Sequence, residues 1–96
     1  MKLLLFLYQG SRPDQLHDLV RDLGLVGHTD LGRVHGAGET GRREGTRAHP
    51  GSGSAMFSVV EAERVAAVLS DARAAAAALP SGERLHCFVL PVEAML

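Results

Sequence analysis

The sequence predicts an α+β domain with the element order βαββαβ. Three observations carry this. Two strand-like runs, Lys2–Tyr8 and Arg84–Leu90, bracket the chain, and two more, Val26–His35 and Ser54–Val60, lie between them. Two segments repeat apolar residues at helical spacing, one after the first strand and one before the last. Breaks rich in glycine and proline separate the pieces. The 96 residues make one domain, 1–96.

Each element has its own reason. Lys2–Tyr8 is continuously apolar, as expected of a strand covered on both faces. Ser11 is a capping residue and Pro13 suits a first helical turn. Leu16, Leu19, Val20 and Leu23 then fall at i, i+3, i+4 and i+7, one apolar stripe, so a helix is expected over Arg12–Leu23. Asp14 and Arg21 complement its dipole, and Gly24 can end it. Val26–His35 reads as a short polar strand suited to a sheet edge. Ser54–Val60 reads as a buried strand. Glu61 and Glu63 open a second helix, whose stripe is Val65, Val68, Leu69, Ala72, Ala76 and Leu79. Its alanine run, Ala74–Ala78, is strongly helical by propensity. Pro80-Ser81-Gly82 breaks the chain, Arg84–Leu90 is the last strand, and Pro91 ends it.

This order is that of a ferredoxin-like, split βαβ sandwich: a four-stranded antiparallel sheet with two helices on one face. Two helices cover only one face. Yet the first strand is apolar at Leu3, Leu5 and Leu7 and also at Leu4, Phe6 and Tyr8. The last is apolar at Leu85, Cys87 and Val89 and also at Phe88 and Leu90. A sheet with one wet face alternates, so the second face is expected to be buried by self-association.

Composition narrows the function. The net charge of −1 gives no basic face, so nucleic acid is not an expected partner. The single cysteine, Cys87, has no internal partner, and a reduced, cytoplasmic setting is the simplest inference. Leu3–Tyr8 is short for the apolar core of an export signal, and no small-residue cleavage site follows it. No stretch is long enough to span a bilayer.

The connection Gly36–Gly53, GAGETGRREGTRAHPGSG, holds six of the eleven glycines and Arg42, Arg43 and Arg47. A connection this long in a small domain is functional or disordered. Gly36-Ala37-Gly38-Glu39-Thr40-Gly41 matches GxGxxG, but no good helix follows, so it is not a dinucleotide fingerprint. Its backbone N–H groups could still meet an anion. The arginines either grip a phosphate or carboxylate or merely solubilise the loop beside Glu39 and Glu44. His28, His35 and His49 are candidate metal ligands, although their spacing matches no compact motif. His17 is read as solvated, His86 as a core or interface histidine, and Cys87 as a small packed apolar group. No base accompanies Ser52, Ser54 or Ser58, and GxSxG is absent, so the chain is not read as an enzyme.

Taken together, these segments resemble the PII-like family of small signalling proteins and, more distantly, the CutA family. The resemblance covers almost the whole chain. The long connection stands where PII proteins carry their T-loop. Val34-His35-Gly36-Ala37-Gly38 resembles the PII strand that ends in a G-x-G turn. Gly45-Thr46-Arg47-Ala48-His49-Pro50-Gly51 resembles the G-T-x-x-W-P-G stretch of a shorter branch, and Phe88–Glu93 resembles that branch's ending. The resemblance implies a homotrimer, with sheets facing the three-fold axis, that binds an adenine nucleotide between subunits. Gly36 and Gly38 would form the G-x-G turn. Ser81-Gly82-Glu83-Arg84 would be the second phosphate-facing loop, with Arg84 at the lysine position. The resemblance places Gly36, Gly38, Gly82 and Arg84 in the ligand site; with the loop's own cations Arg42, Arg43 and Arg47 these are the candidate binding residues, and the loop is expected to engage a target protein. Glu39-Thr40 departs from the usual Arg-Gln. The C-terminal arginines are missing, and the only tyrosine is Tyr8. A CutA-like metal-responsive protein, or a trimeric interaction module without a ligand, are the alternatives.

Overall fold

The computed structural model describes residues 1–12, 14–36 and 52–96. The elements are β1 (Lys2–Gln9), α1 (Gln15–Asp22), β2 (Thr29–His35), β3 (Ser52–Val60), a 3-10 turn (Ala62–Arg64), α2 (Val65–Ala77) and β4 (Arg84–Pro91). The four strands form one antiparallel sheet in the order β2-β3-β1-β4. Each helix therefore joins strands two places apart: α1 crosses from β1 past β3 to β2, and α2 from β3 past β1 to β4. This small α+β arrangement is compatible with the ferredoxin-like expectation.

β1 sits at the centre, between β3 and β4. Its sequence is apolar throughout, but its burial alternates. Leu4, Phe6 and Tyr8 are fully buried, whereas Leu3, Leu5 and Leu7 are half-buried. The buried set packs with Leu16, Val20 and Leu23 of the α1 region and with Val68 and Ala72 of α2, in one core that also holds Met56 and Val60. Both helices thus lie on the face of Leu4, Phe6 and Tyr8. Of the helical stripes read from sequence, Leu16, Val20, Leu23, Val68 and Ala72 are buried, Leu19, Val65 and Leu79 pack at the core's margin, and Leu69 and Ala76 are only partly buried.

The ends of the elements depart from the sequence reading. α1 starts at Gln15, behind Asp14 at its N-cap and with no side-chain cap hydrogen bond, so Ser11 is not the cap. Gly24, at φ 71°, occupies the left-handed region just after the helix, as its role as terminator requires. β2 begins at Thr29 instead of Val26, whose side chain is 99 % exposed. β3 begins at Ser52, so Gly53 belongs to the strand and not to the preceding connection. Leu79 lies beyond α2, which ends at Ala77.

The register places Leu3, Leu5 and Leu7 on the same face as Phe57 and Val59 of β3 and as His86, Phe88 and Leu90 of β4. This open face is turned away from both helices, and no described element covers it. Phe88 and Leu90 remain 49 % and 42 % exposed.

Candidate functional site

The register gathers the chain's glycine-rich turns at one end of the sheet. Gln9 of β1 pairs with Gly53 of β3 and with Arg84 of β4. His35, the last residue of β2, pairs with Ser52. Gly10, Gly36 and the 80–84 turn therefore share this end. Gly36 and Arg84 stand three strand spacings apart, roughly 14 Å.

Tyr8 anchors this end. It is wholly buried in the core, and its hydroxyl donates to Glu83 Oε1 at 2.7 Å while accepting the Arg12 backbone N–H at 3.4 Å. A buried phenol keeps its polar tip satisfied, and this one ties the start of β4 to the connection that leads into α1. Burial, with Glu83 beside it, raises the Tyr8 pKa, so the phenol stays a donor. Two glycines make room for it. A Cβ at Gly10 would overlap the Tyr8 hydroxyl, and one at Gly53 would collide with the Tyr8 carbonyl oxygen. The 80–84 turn is held by a bond from the Glu83 N–H to the Pro80 carbonyl at 3.1 Å. Gly82 sits at φ 88°, a conformation that favours glycine.

Beside this end, on the helix face, lies an open cleft of about 150 Å3 between the start of α1 and β2. Asp14, His17, Asp30, Arg33 and Ser54 line it, with Leu16 and Met56. Asp30 organises its rim. One carboxylate oxygen accepts the Gly32 N–H at 2.7 Å, and the other is 3.0 Å from His17 Nε2. The Gly32 bond is the main reason its carboxyl titrates below the usual range, with His17 adding to it. The His17 ring meets His28 edge-on at 6.1 Å between centroids.

The sequence-derived site is only partly brought together. Gly36, Gly82 and Arg84 share the end of the sheet described above. At Gly36 a side chain would meet open space, so nothing in the described structure demands glycine there. Gly38, Arg42, Arg43, Arg47 and His49 lie outside the described residues. His28 is exposed just before β2 and His35 is exposed at its far end. Among the described residues, no group of three or more His, Cys, Asp or Glu is placed to hold a metal ion. His17, read as solvated, is exposed but paired with Asp30. His86 is exposed on the open face, where its ring stacks on Phe88 at 6.4 Å; its alternating position on an edge strand overrides the apolar run around it. Cys87 packs at the edge of the core, and burial pushes its thiol up to about 11.

Sequence reasoning missed the Tyr8–Glu83 bond. The signal available was a lone tyrosine on the buried face of β1, which needs a partner. The identity of that partner, 75 residues away, was not readable.

In comparisons with known proteins, no family model and no curated sequence matches this chain. Among the described residues, no helix is long and apolar enough to cross a membrane.

Proposed function

We propose that this chain is a PII-like, non-enzymatic regulatory protein with ferredoxin-like topology. It works as a cytoplasmic homotrimer that binds a small anion or an adenine nucleotide. The observation that carries this reading is the shared end of the sheet. The register sets Gly36, where the long 36–51 connection departs, at the same end as the Gly82–Arg84 turn. In a trimer packed through the open face, the glycine turn of one subunit and Arg84 of its neighbour flank one cleft. Arg84 supplies a guanidinium for phosphate or carboxylate, and the glycine turn supplies backbone N–H groups. Ligand binding in the cleft acts on the connection, which then engages or releases a target protein.

The open face supports the trimer. Leu3, Leu5, Leu7, Phe57, Val59, Phe88 and Leu90 form a contiguous apolar surface that neither helix covers, and such surfaces mark interfaces.

Two measurements test the reading. Light scattering should give a multiple of three copies, and Leu5→Asp should dissociate or unfold the three-fold contact, because a buried unpaired charge costs several kcal/mol. A thermal-shift panel of ATP, ADP, AMP, phosphate and bicarbonate should raise Tm for at least one anion. Arg84→Ala should weaken that ligand about tenfold or more, as loss of a charged hydrogen bond does. No shift with any of these at millimolar concentration would remove the ligand.

A further inference from the structure

We propose that the outer edge of β4 is a self-association site, at which two copies pair β4 with β4, antiparallel and centred on Cys87, into one eight-stranded sheet. This goes beyond the trimer proposed above, because the three-fold contact uses the open face and this contact uses the edge.

β4 is the unguarded edge of the molecule. It runs eight residues in unbroken register with β1, from Gln9 opposite Arg84 to Lys2 opposite Pro91. No charged residue interrupts Leu85–Leu90, and Phe88, Val89 and Leu90 are 49 %, 39 % and 42 % exposed. Among the described residues, no strand lies beyond its outward backbone groups in the sheet. Proteins blunt such edges with charge, proline, bulges or a cover; here proline appears only at the final residue, Pro91.

Three features select a second copy as the cover. The first is lateral room. Alongside β4, under α2, lies a groove of about 210 Å3 lined by Leu69, Ala72, Arg73, Ala76, Leu85 and Cys87. Ala72 and Ala76 carry short side chains, so the groove leaves space on the helix face for side chains of an added strand. The second is self-complementarity. Pairing around Cys87 sets Leu85 against Val89 of the second copy on the helix face. On the open face it sets His86 against Phe88 of the second copy, and Arg84 against Leu90 of the second copy. Within the paired strands no charge meets its like, and the His86–Phe88 stack continues across the axis as a four-ring array. The third is closure. The sheet so formed ends on two β2 edges, each broken by the irregularity between Asp30 and Gly32 and carrying Asp30 and Arg33. Growth stops at two copies, as a two-fold, isologous contact requires.

The arrangement places the two Cys87 residues directly opposite each other, with Cα atoms about 4.5–5.5 Å apart. That lies within disulfide reach, which makes the only cysteine a reporter of the register. Purified protein at micromolar concentration is treated with diamide and run on a non-reducing gel, with Cys87→Ser and urea-unfolded protein as controls. A covalent dimer should form in the folded protein alone. Light scattering should give an even number of copies: two, or six if the three-fold contact also forms. Cys87→Lys sets two like charges across the axis and should halve the mass while far-UV circular dichroism stays native. If that variant fails to fold, the diamide result on the natural sequence decides. A monomer or a trimer that gives no covalent dimer overturns the edge pairing. In the trimer case the open-face contact survives. A covalent dimer that persists in a folded Leu5→Asp variant supports the edge and separates it from the three-fold reading.

Discussion

The two edges of this sheet are built on opposite principles. β2 is polar and broken: Gly32 takes φ 78°, the register with β3 shifts between Asp30 and Gly32, and Asp30 folds back onto the Gly32 N–H. β4 is regular along its whole length and apolar through its middle. Both edges are attached to the same central pair, β1 and β3. What separates them is therefore not the core but local chemistry. An edge with a bulge, a carboxylate and an arginine is poorly shaped for another strand, and an edge without them is a template.

The largest effect should come from the centre that the edges share. Phe6→Ala removes a wholly buried ring and should cost about 3–5 kcal/mol. Denaturant unfolding should show one transition, with β2 and β4 amides losing exchange protection together. Separate transitions would mean that the edges have cores of their own.

Gly32→Val attacks the guarded edge. A β-branched residue at φ 78° is strained, so a loss of about 1–3 kcal/mol is expected. If the bulge straightens instead, β2 becomes a second flat edge, and concentration-dependent growth in light scattering should follow. Unchanged stability and unchanged mass would show that the glycine is not what guards β2.

Tyr8→Phe loosens the start of β4 by removing the bond to Glu83, for a loss of about 1 kcal/mol. Burial of the phenol, with Glu83 beside it, also gives a pH dependence. The Tyr8 pKa is raised on folding, so its contribution is complete below the unfolded value, about 10, and is lost as pH rises through the folded value. Tm of the natural protein should therefore fall more steeply above about pH 10 than that of the phenylalanine variant.

The smallest effect belongs to Asp30, which is exposed. Its pKa is lowered on folding, so its contribution is present above the unfolded value, about 4, and disappears as pH falls through the folded value. Carboxyl chemical shifts should place its titration below the ordinary aspartate value, and Asp30→Asn should remove the corresponding acid slope. An ordinary titration of Asp30 would mean that the Gly32 bond does not persist in solution.

Much of this contrast was legible in the sequence. The polarity of Val26–His35 marked an edge, and the missing alternation of Leu3–Tyr8 marked a sheet with an uncovered face. The helical stripes were readable because a 3.6-residue period is local. The bulge at Asp30 was not, since it depends on β3 supplying the register. The first residues of β2 and β3 were misplaced by two or three positions for a similar reason: Val26 is apolar but has nothing to pack against, and Gly53 looks like loop but lies flush against the Tyr8 carbonyl. Of the candidate site, Gly82 was readable from its turn sequence. The Tyr8–Glu83 bond, which fixes that turn, joins residues that no local pattern connects.

The hydrogen bond from the Val92 N–H to the Met1 carbonyl, at 3.3 Å, has a practical consequence for handling the molecule. Residues 1 and 92 are neighbours, and they lie at the opposite end of the sheet from Gly36 and Arg84. A tag or reporter joined there is held about one strand length, roughly 26 Å, from the candidate site. A short peptide bridging residues 92 and 1 would close the backbone into a ring without reversing any strand. The chain could then be reopened in the 78–82 connection, making β4 the first element of a permuted protein with the same sheet.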